Sequence, residues 1–224
     1  MKDIANTPLV SIICSTYNHG LYISQCLDGF LMQKTNFPFE ILIHDDASTD
    51  NTPDIIREYE HNHPQVIGPI YQKENKYSKK EDIFAKYQCS RVRGKYIAIC
   101  EGDDYWIDPL KLQKQIDFLE KNPDYGMIYT TSKVYNQKEG KIEEDIIGRE
   151  YKGYIELLSG NCIPTLTTCI RSSLVMEYLK EVEPKSKNWL MGDYPMWLWI
   201  SYYYKIKYLP ESTTVYLSLI HISE

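Results

Sequence analysis

The segment FEILIHDDASTDNTPDIIREYE (residues 39–60) shows most directly how this chain is built, because a strand pattern is followed in it by a helix pattern. EILIH (residues 40–44) is a short apolar run that is typical of a buried strand, and Asp45 and Asp46 follow it at once. Thr52 then predicts a helix N-cap, with Pro53 at the first helical position. A strand, an acidic turn and a helix in this order indicate one unit of an α/β protein.

The same unit occurs on both sides of this segment. VSIIC (residues 10–14) and KYIAIC (residues 95–100) predict two further buried strands, each leading into a helix, and Asp108 with Pro109 predicts the start of the later one. The apolar helical faces comprise Ile23, Cys26, Leu27, Phe30 and Leu31, then Ile55, Ile56 and Tyr59, then Leu112, Ile116 and Leu119. This order predicts a mostly parallel central sheet flanked by helices.

The second half of the chain is less regular. Residues 126–135 predict a strand, and the charged residues 136–150 predict a loop or an exposed hairpin. The lysine-rich residues 72–82, in the first half, predict a surface loop. In the aromatic residues 189–209, Pro195 predicts a helix start. The buried face predicted for that helix consists of Met196, Trp199, Ile200 and Tyr203.

Composition narrows the class of protein. The 224 residues are 43% hydrophobic, enough for one sizeable core. There is no run of eighteen apolar residues and no apolar leader, so we expect a soluble, cytoplasmic protein. A net charge of −6 argues against an extended nucleic-acid surface. The six cysteines form no CxxC pair, which favours buried free thiols over structural zinc.

Two acidic clusters directly follow two of the predicted strands. Asp45 and Asp46 follow the second, and Glu101, Asp103 and Asp104 follow the third. The carboxyl ends of parallel strands form the ligand crevice of an open sheet. Crowded carboxylates repel each other, whereas Mg²⁺ or Mn²⁺ joins such oxygens to a substrate phosphate. One acidic pair would be an ordinary turn, but two clusters at equivalent strand ends favour a metal site.

Three ordered stretches resemble the family 2 glycosyltransferases of the GT-A fold, which is Rossmann-like. They are VSIICSTYNHGLYISQCLDGFLMQ (residues 10–33), FEILIHDDASTDNT (39–52) and RGKYIAICEGDDYWIDPLKLQKQ (93–115). The resemblance implies one domain over residues 1–224, with a nucleotide-sugar-binding half (1–105) and an irregular acceptor-side half (106–224). It also implies an inverting, metal-dependent transfer of a sugar from a nucleotide-sugar, in particular a UDP-sugar, to an acceptor hydroxyl.

The resemblance implies roles for particular residues. The family's metal-binding DxD motif falls on residues 101–103, where Glu101 replaces the first Asp and Asp103 is the implied ligand of Mn²⁺ or Mg²⁺. Asp46 is the preferred contact to the base or ribose. Asp104 is expected to support the site, and Trp106 either stacks on a sugar or packs in the core. The implied nucleotide-binding residues are Ser15, Thr16, Tyr17, Asp45, Asp46, Glu101 and Gly102.

MGDYPMWLW (residues 191–199) is similar to the family's setting for the catalytic base, an acidic residue ahead of an aromatic helix. By this resemblance Asp193 is the general base, which takes the proton of the attacking hydroxyl. The alternative is that Asp193 caps the helix that begins near Pro195, and the two roles are compatible.

Several other residues have two readings. Arg91 and Arg93 either contact the diphosphate or lie on the surface, and Trp189 and Trp197 either stack on sugars or pack in the core. His44 is expected to pack at a strand end. Family members often carry an Arg and then a His in the C-terminal tail. STTVYLSLIHISE (residues 212–224) lacks the Arg, so His221 is not assigned to the site and a truncated or non-native terminus is expected.

The sequence also limits the rival functions. No GxGxxG turn follows a predicted strand, which argues against a dinucleotide oxidoreductase. STYNHG (residues 15–20) is not the glycine-rich, basic loop of a nucleotidyltransferase. A non-catalytic sugar-nucleotide-binding partner subunit stays open. The resemblance implies bacterial surface-polysaccharide assembly, with a glycan or lipid-linked acceptor and peripheral association at the inner face of the plasma membrane.

Overall fold

The computed structural model describes residues 7–187, 189 and 192–218, and its backbone is organised around one nine-stranded sheet. The strand order is β3-β2-β1-β4-β8-β6-β9-β5, and β7 pairs with β6. The strands are β1 (Val10–Thr16), β2 (Phe39–Asp45), β3 (Ile67–Tyr71), β4 (Tyr96–Ile99), β5 (Tyr105–Trp106), β6 (Tyr125–Asn136), β7 (Lys141–Ile147), β8 (Cys169–Arg171) and β9 (Lys205–Ser218).

Helices cover the sheet. They are α1 (Ile23–Leu31), α2 (Thr52–Asn62), α3 (Lys111–Lys121), α4 (Tyr154–Leu157), α5 (Ser172–Val182) and α6 (Tyr194–Tyr203). A π-helical turn (Phe84–Gln88) and 3₁₀ turns (Cys89–Arg91, Thr165–Thr167 and Pro184–Lys187) connect them. No helix among the described residues is both long and apolar enough to cross a lipid bilayer.

The first four sheet strands form the α/β unit that the sequence predicts. β1 lies between β2 and β4 and is parallel to both, with Val10 opposite Phe39 on one side and Tyr96 on the other. β3 adds in parallel outside β2. β1, β2 and β4 are buried almost throughout, because helices cover both faces. All three predicted strands are therefore confirmed, and with them the α/β class.

The second half differs from its prediction. β8 is antiparallel to both β4 and β6, so the sheet beyond β4 is mixed. β6, with 12 residues, confirms the strand predicted over residues 126–135, whereas β9, with 14 residues, lies in a region that was expected to be irregular. Their polar residues pair across the strands, for example Thr130 with Thr213 at 2.6 Å between hydroxyls. These buried polar pairs hide the apolar alternation by which a strand is recognised.

Two helix starts differ from their predictions, since α2 begins one residue earlier and α3 begins later. The N-cap of α2 is Asn51, and Thr52 is already buried in the first turn, because the Asp50 carboxylate accepts the Thr52 amide at 3.0 Å. α3 begins at Lys111, after a turn in which the Asp108 carboxylate accepts the Leu110 amide at 2.9 Å. In both turns an aspartate before the helix binds the amide two residues on.

α6 begins with Pro195 in its first turn, as predicted, but its buried face is different. Trp197 is fully buried, whereas Trp199 is partly buried and Tyr203 is 58% exposed. The residues that this helix buries are Met196, Trp197, Ile200 and Ser201. Aromatic residues lie all around α6, so hydrophobic spacing cannot identify the inward face.

Lys111 is a lysine in the core. It is completely buried, its Nζ lies 4.1 Å from the centroid of the Trp106 ring, and it donates to Gln115 Oε1 at 3.0 Å. Burial lowers the pKa of Lys111 to about 8, since the charged form loses its hydration.

Replacing Lys111 should therefore change how stability depends on pH. Between about pH 8 and the ordinary lysine value of 10.5, the unfolded chain binds more protons than the folded one. The wild-type free energy of unfolding should consequently rise with pH across this window, by up to about 3 kcal/mol relative to Lys111→Met. Denaturant unfolding of both proteins at pH 7, 8, 9 and 10 measures the difference. A difference that does not vary with pH would contradict the assignment.

Candidate functional site

The two acidic clusters meet at the carboxyl edge of the parallel strands. β2 and β4 flank β1 at the usual spacing of about 4.8 Å per strand, so Asp45 and the loop after Ile99 lie on either side of the β1 end. His19 lies between them. Burial lowers its pKa, and the carboxylates of Asp103, Asp50 and Asp45 oppose that shift. The sequence-based expectation of a single acidic edge is confirmed.

Hydrogen bonds connect the loop after β1 to the loop after β2. Asn18, in the left-handed region at φ 56°, accepts the Thr49 amide at 2.8 Å and donates its own amide to Ser48 Oγ at 2.8 Å. The Asp50 carboxylate accepts the Gly20 amide at 2.9 Å. These bonds fix the STYN turn relative to the acidic turn after β2.

The three residues predicted at the end of β1 differ in what they offer a ligand. Ser15 Oγ accepts the side-chain amide of Gln88 at 2.8 Å. Thr16 Oγ1 is buried without a hydrogen-bond partner, and Tyr17 is 44% exposed. Thr16 thus has a polar atom available, and Tyr17 has an accessible ring.

Asp45 and Asp46 are both buried but have different partners. Asp45 Oδ2 accepts the Ser48 amide at 3.3 Å, while its Oδ1 has no partner. Asp46 accepts the backbone amides of Lys76 and Tyr77 at 2.7 and 2.9 Å. Asp46 therefore anchors the lysine-rich loop to this edge, an arrangement that the sequence does not reveal because the partners are 30 residues away. Its contact with the base or ribose stays a prediction.

Gly102 lets the loop after β4 approach β1 closely. Its amide donates to the Ser15 carbonyl at 2.9 Å. A Cβ at this position would lie 2.8 Å from Thr16 Oγ1 and 3.0 Å from His19 Nδ1, so any larger residue would collide with the site. Asp103 follows, and its Oδ1 is buried, unpartnered and 3.9 Å from His19 Nδ1.

Glu101 and Asp104 are both harder to ionise than usual. Burial, followed by the charge of Asp103, raises the pKa of Asp104 well above its normal range, although Oδ1 accepts the Leu217 amide at 2.8 Å. Glu101 stays accessible from this edge, yet the surrounding protein and then the charges of Asp103 and Asp193 raise its pKa to about 7. Asp193, far along the chain, therefore acts on the same carboxylate as Asp103.

The carboxylates at this edge fit a divalent ion whose coordination is completed by the phosphates of a substrate. Across the residues that the structure describes, no group of three or more His, Cys, Asp or Glu side chains forms a metal cage. Asp103 alone in the 101–103 motif presents a buried, unpartnered carboxylate oxygen. One or two carboxylates are the usual protein share of a Mg²⁺ or Mn²⁺ site that phosphates complete.

Asp193 is the N-cap of α6. Its Oδ1 accepts the Tyr194 amide at 2.7 Å, and its Oδ2 accepts the hydroxyl of Thr165. The predicted capping role is therefore present, while the role as general base stays a proposal. Thr165 and His19 are contacts that the sequence did not single out, since neither residue belongs to a recognisable spacing.

The two arginines do not lie at this edge. Arg91 donates to the backbone carbonyls of Gly68 and Ile43. Arg93 pairs with Glu40 near the amino ends of β1 and β2. The structure argues against a diphosphate contact, because Arg93 pairs with Glu40 at the amino ends of the strands and the Arg91 guanidinium is occupied by two backbone carbonyls.

The three tryptophans considered for sugar stacking differ in burial. Trp106 is 1% exposed, lies edge-on to Phe30 at 4.8 Å and donates Nε1 to the Leu166 carbonyl at 3.1 Å. It is a core residue, and the reading in which it stacks on a sugar is wrong. Trp197 is also core, whereas Trp189 is 46% exposed. His44 is buried against Tyr87, and His221 lies outside the described residues.

A protein-family model matches most of this chain. Residues 11–177 fit the model of "Glycosyl transferase family 2". An uncharacterised protein of Mycobacterium tuberculosis is 42% identical over 137 residues, which is 60% of this chain and 38% of that protein. TuaG of Bacillus subtilis, named for teichuronic acid biosynthesis as a glycosyltransferase, is 30% identical over 163 residues, or 73% of this chain and 62% of TuaG. The chain thus spans only part of the length of these relatives.

Solved structures share the fold at low identity. The mannosyltransferase PcManGT of Pyrobaculum calidifontis, with GDP-Man and Mn²⁺, has a TM-score of 0.69 at 18% identity, over 96% of this chain and 58% of PcManGT. TarS residues 1–349 of S. aureus, with UDP, has a TM-score of 0.68 at 18% identity, over 93% and 60% of the two chains. The architecture is that of the GT-A fold. With the family model covering most of its length, this chain belongs to glycosyl transferase family 2.

Proposed function

We propose that this chain transfers a sugar from a nucleotide-sugar to an acceptor hydroxyl, with inversion at the anomeric carbon and with the help of a divalent ion. One observation carries the proposal. Asp103 Oδ1 is buried without a hydrogen-bond partner at the carboxyl edge, and Asp193, whose charge reaches Glu101 of the same motif, is the base candidate beside it. A single displacement needs a metal-held diphosphate and a base on opposite sides of one reacting carbon.

The donor side is formed by the ends of β1 and β2. Thr16 Oγ1 and Asp45 Oδ1 are buried polar atoms without partners, which suits a nucleoside that supplies hydroxyl and imide groups. Asp46 holds the loop above them. TarS binds UDP and UDP-GlcNAc, and PcManGT binds GDP-Man, which supports a nucleotide-sugar donor. Among these we favour a UDP-sugar.

In the proposed reaction the acceptor oxygen attacks the anomeric carbon as the bond to the diphosphate breaks. Asp193 accepts the hydroxyl proton through a lone pair of its carboxylate. Asp103 would hold a Mn²⁺ or Mg²⁺ ion, which would neutralise charge on the leaving diphosphate. Gly102 keeps the backbone close enough to Thr16 for Asp103 to reach that position.

The acceptor is proposed to be a growing surface polysaccharide or another glycan, free or lipid-linked at the inner face of the plasma membrane. TuaG, named for teichuronic acid biosynthesis, supports this class. The second candidate function is a sugar-nucleotide-binding partner subunit without turnover.

Release of nucleoside diphosphate separates the two functions. The protein is incubated with Mn²⁺ and a panel of UDP- and GDP-sugars, with and without glycan acceptors, and the freed nucleotide is measured. Donor-dependent release that Asp193→Asn removes supports the transferase. Nucleotide binding by calorimetry with no release from any donor would instead favour the binding subunit.

Asp46→Ala should weaken nucleotide binding about tenfold or more. The change removes the acceptor of two loop amides and the predicted contact to the base or ribose, and a hydrogen bond to a charged group contributes about 1.5 to 3 kcal/mol. Calorimetry with UDP and Mn²⁺ measures the loss. Asp54→Ala is the matched control, because Asp54 is an exposed aspartate paired only with Arg57 on α2. An unchanged affinity in Asp46→Ala would remove Asp46 from the site.

A further inference from the structure

We propose that Thr165 is the positioning residue of the base, an inference that rests on the proposed function of Asp193. Thr165 lies in the 3₁₀ turn before β8, in a different element from the aspartate. Its hydroxyl donates to Asp193 Oδ2, while Oδ1 accepts the Tyr194 amide at 2.7 Å. The Thr165 hydroxyl is the second anchor of a carboxylate that its own helix holds only at one oxygen.

Two anchors fix the plane of the carboxylate. With the Tyr194 amide alone, the carboxylate could turn about its side-chain bonds and still cap α6. The second hydrogen bond removes that freedom. Each carboxylate oxygen still has a lone pair to accept the proton of an acceptor hydroxyl. The contact with Thr165 therefore orients the base without blocking it.

The turn that carries Thr165 is itself held firmly. Thr167 Oγ1 donates to the Pro164 carbonyl at 2.7 Å, and Thr168 Oγ1 donates to the Thr165 carbonyl at 2.8 Å. Thr167 and Thr168 are both fully buried. These hydrogen bonds hold the backbone of the turn in one conformation, so the Thr165 hydroxyl is held in a defined position.

The same turn is fastened to the segment that follows the metal motif. Trp106 Nε1 donates to the Leu166 carbonyl at 3.1 Å, and Gln115 Nε2 donates to the Thr167 carbonyl at 2.8 Å. Trp106 lies three residues after Asp103. Trp106 and the Thr165 turn therefore link the position of Asp193 to the position of Asp103. This gives the buried Trp106 a positioning task as well as a packing one.

Thr165→Val, which keeps the shape and removes the donor, should lower kcat about 10- to 100-fold. The affinity for UDP and Mn²⁺, measured by calorimetry, should stay within about twofold of wild type. The reason is that Thr165 binds the general base Asp193 and none of the predicted nucleotide-binding residues. Thr165→Ser keeps the hydroxyl and should recover most of the lost turnover. Turnover is measured with the UDP- or GDP-sugar that gives the fastest nucleotide release.

Thr168→Val is the matched control. It weakens the same turn by removing the hydrogen bond to the Thr165 carbonyl but keeps the Thr165 hydroxyl that donates to Asp193, so its loss of kcat should be much smaller than that of Thr165→Val. If the turn matters only for stability, Thr165→Val and Thr168→Val should both lower the melting temperature, and the folded protein should keep its kcat in both. That result would overturn the positioning role. If the Thr165→Val protein does not fold, Thr165→Ala is used in its place.

A double-variant cycle separates this inference from the function on which it rests. If Thr165 acts through Asp193, Thr165→Val should cause no further loss of kcat in an Asp193→Asn background. Losses that multiply would overturn the inference and leave the base role intact. Near-normal turnover of Asp193→Asn would instead reject the base role. A strong loss in Asp193→Asn with a normal kcat in Thr165→Val would reject only the inference.

Discussion

Asp193→Asn should lower kcat about 10² to 10⁴-fold while nucleotide affinity stays near wild type. The substitution removes the basic oxygen but retains a side-chain acceptor for the Tyr194 amide. Asparagine caps helices nearly as well as aspartate, so the protein should fold and melt like wild type. Steady-state kinetics, calorimetry with UDP and Mn²⁺, and a thermal melt on the same preparation provide the three measurements.

The control for charge removal is Asp124→Asn. Asp124 is a half-exposed aspartate paired with Lys205, far from the acidic edge, and its substitution should leave kcat unchanged. A folded Asp193→Asn protein with near-wild-type transfer would show that the carboxylate only caps α6. The anomeric configuration of the product, read by NMR, tests the displacement separately, since retention of the donor's configuration is incompatible with a single inverting step.

Removal of divalent ions should abolish transfer, and Asp103→Asn should lower it about 10³-fold or more. The leaving diphosphate develops charge that a metal offsets, and this effect amounts to several kcal/mol. Asp103 presents the free buried oxygen of the motif, so its substitution should remove most of that benefit. Activity is measured after EDTA treatment and then after addition of Mn²⁺ or Mg²⁺.

Asp117→Asn is the matched control for the metal experiment, because Asp117 is an exposed aspartate on α3 that accepts only the Gln113 amide. Its activity and metal requirement should equal those of wild type. The affinity for UDP should depend on Mn²⁺ in wild type and in Asp117→Asn, and not in Asp103→Asn. Full transfer in chelator would exclude the metal from the mechanism.

The parallel half of the sheet could be predicted because its sequence pattern is local. The runs 10–14, 40–44 and 95–100 each contain at least three consecutive apolar residues, as is typical of strands covered on both faces. Once they are parallel neighbours, Asp45 and the 101–104 loop have to share an edge. The convergence of the acidic clusters therefore follows from the sequence.

What could not be predicted depends on distant partners. Both oxygens of Asp46 bind loop amides 30 residues away, and Trp106 is buried against α1 and the Thr165 turn. Arg91 and Arg93 precede β4 in sequence, but their guanidinium groups bind the Gly68 and Ile43 carbonyls and the Glu40 carboxylate, which are distant in sequence. The inward face of α6 is equally ambiguous because its residues are aromatic on every side.

The contact between Asp104 and Leu217 has a consequence for how the protein is made. The buried carboxylate next to the predicted metal motif is held by the amide of a residue 113 positions later, on the last described strand. At a synthesis rate of 5 to 20 residues per second, Leu217 is added roughly 5 to 25 s after Asp104. Until then, a nascent chain on the ribosome carries every predicted nucleotide-binding residue but lacks the strand that closes the motif. The predicted nucleotide half is contiguous in the gene, yet its completion awaits the synthesis of a strand that lies 113 positions further along the chain.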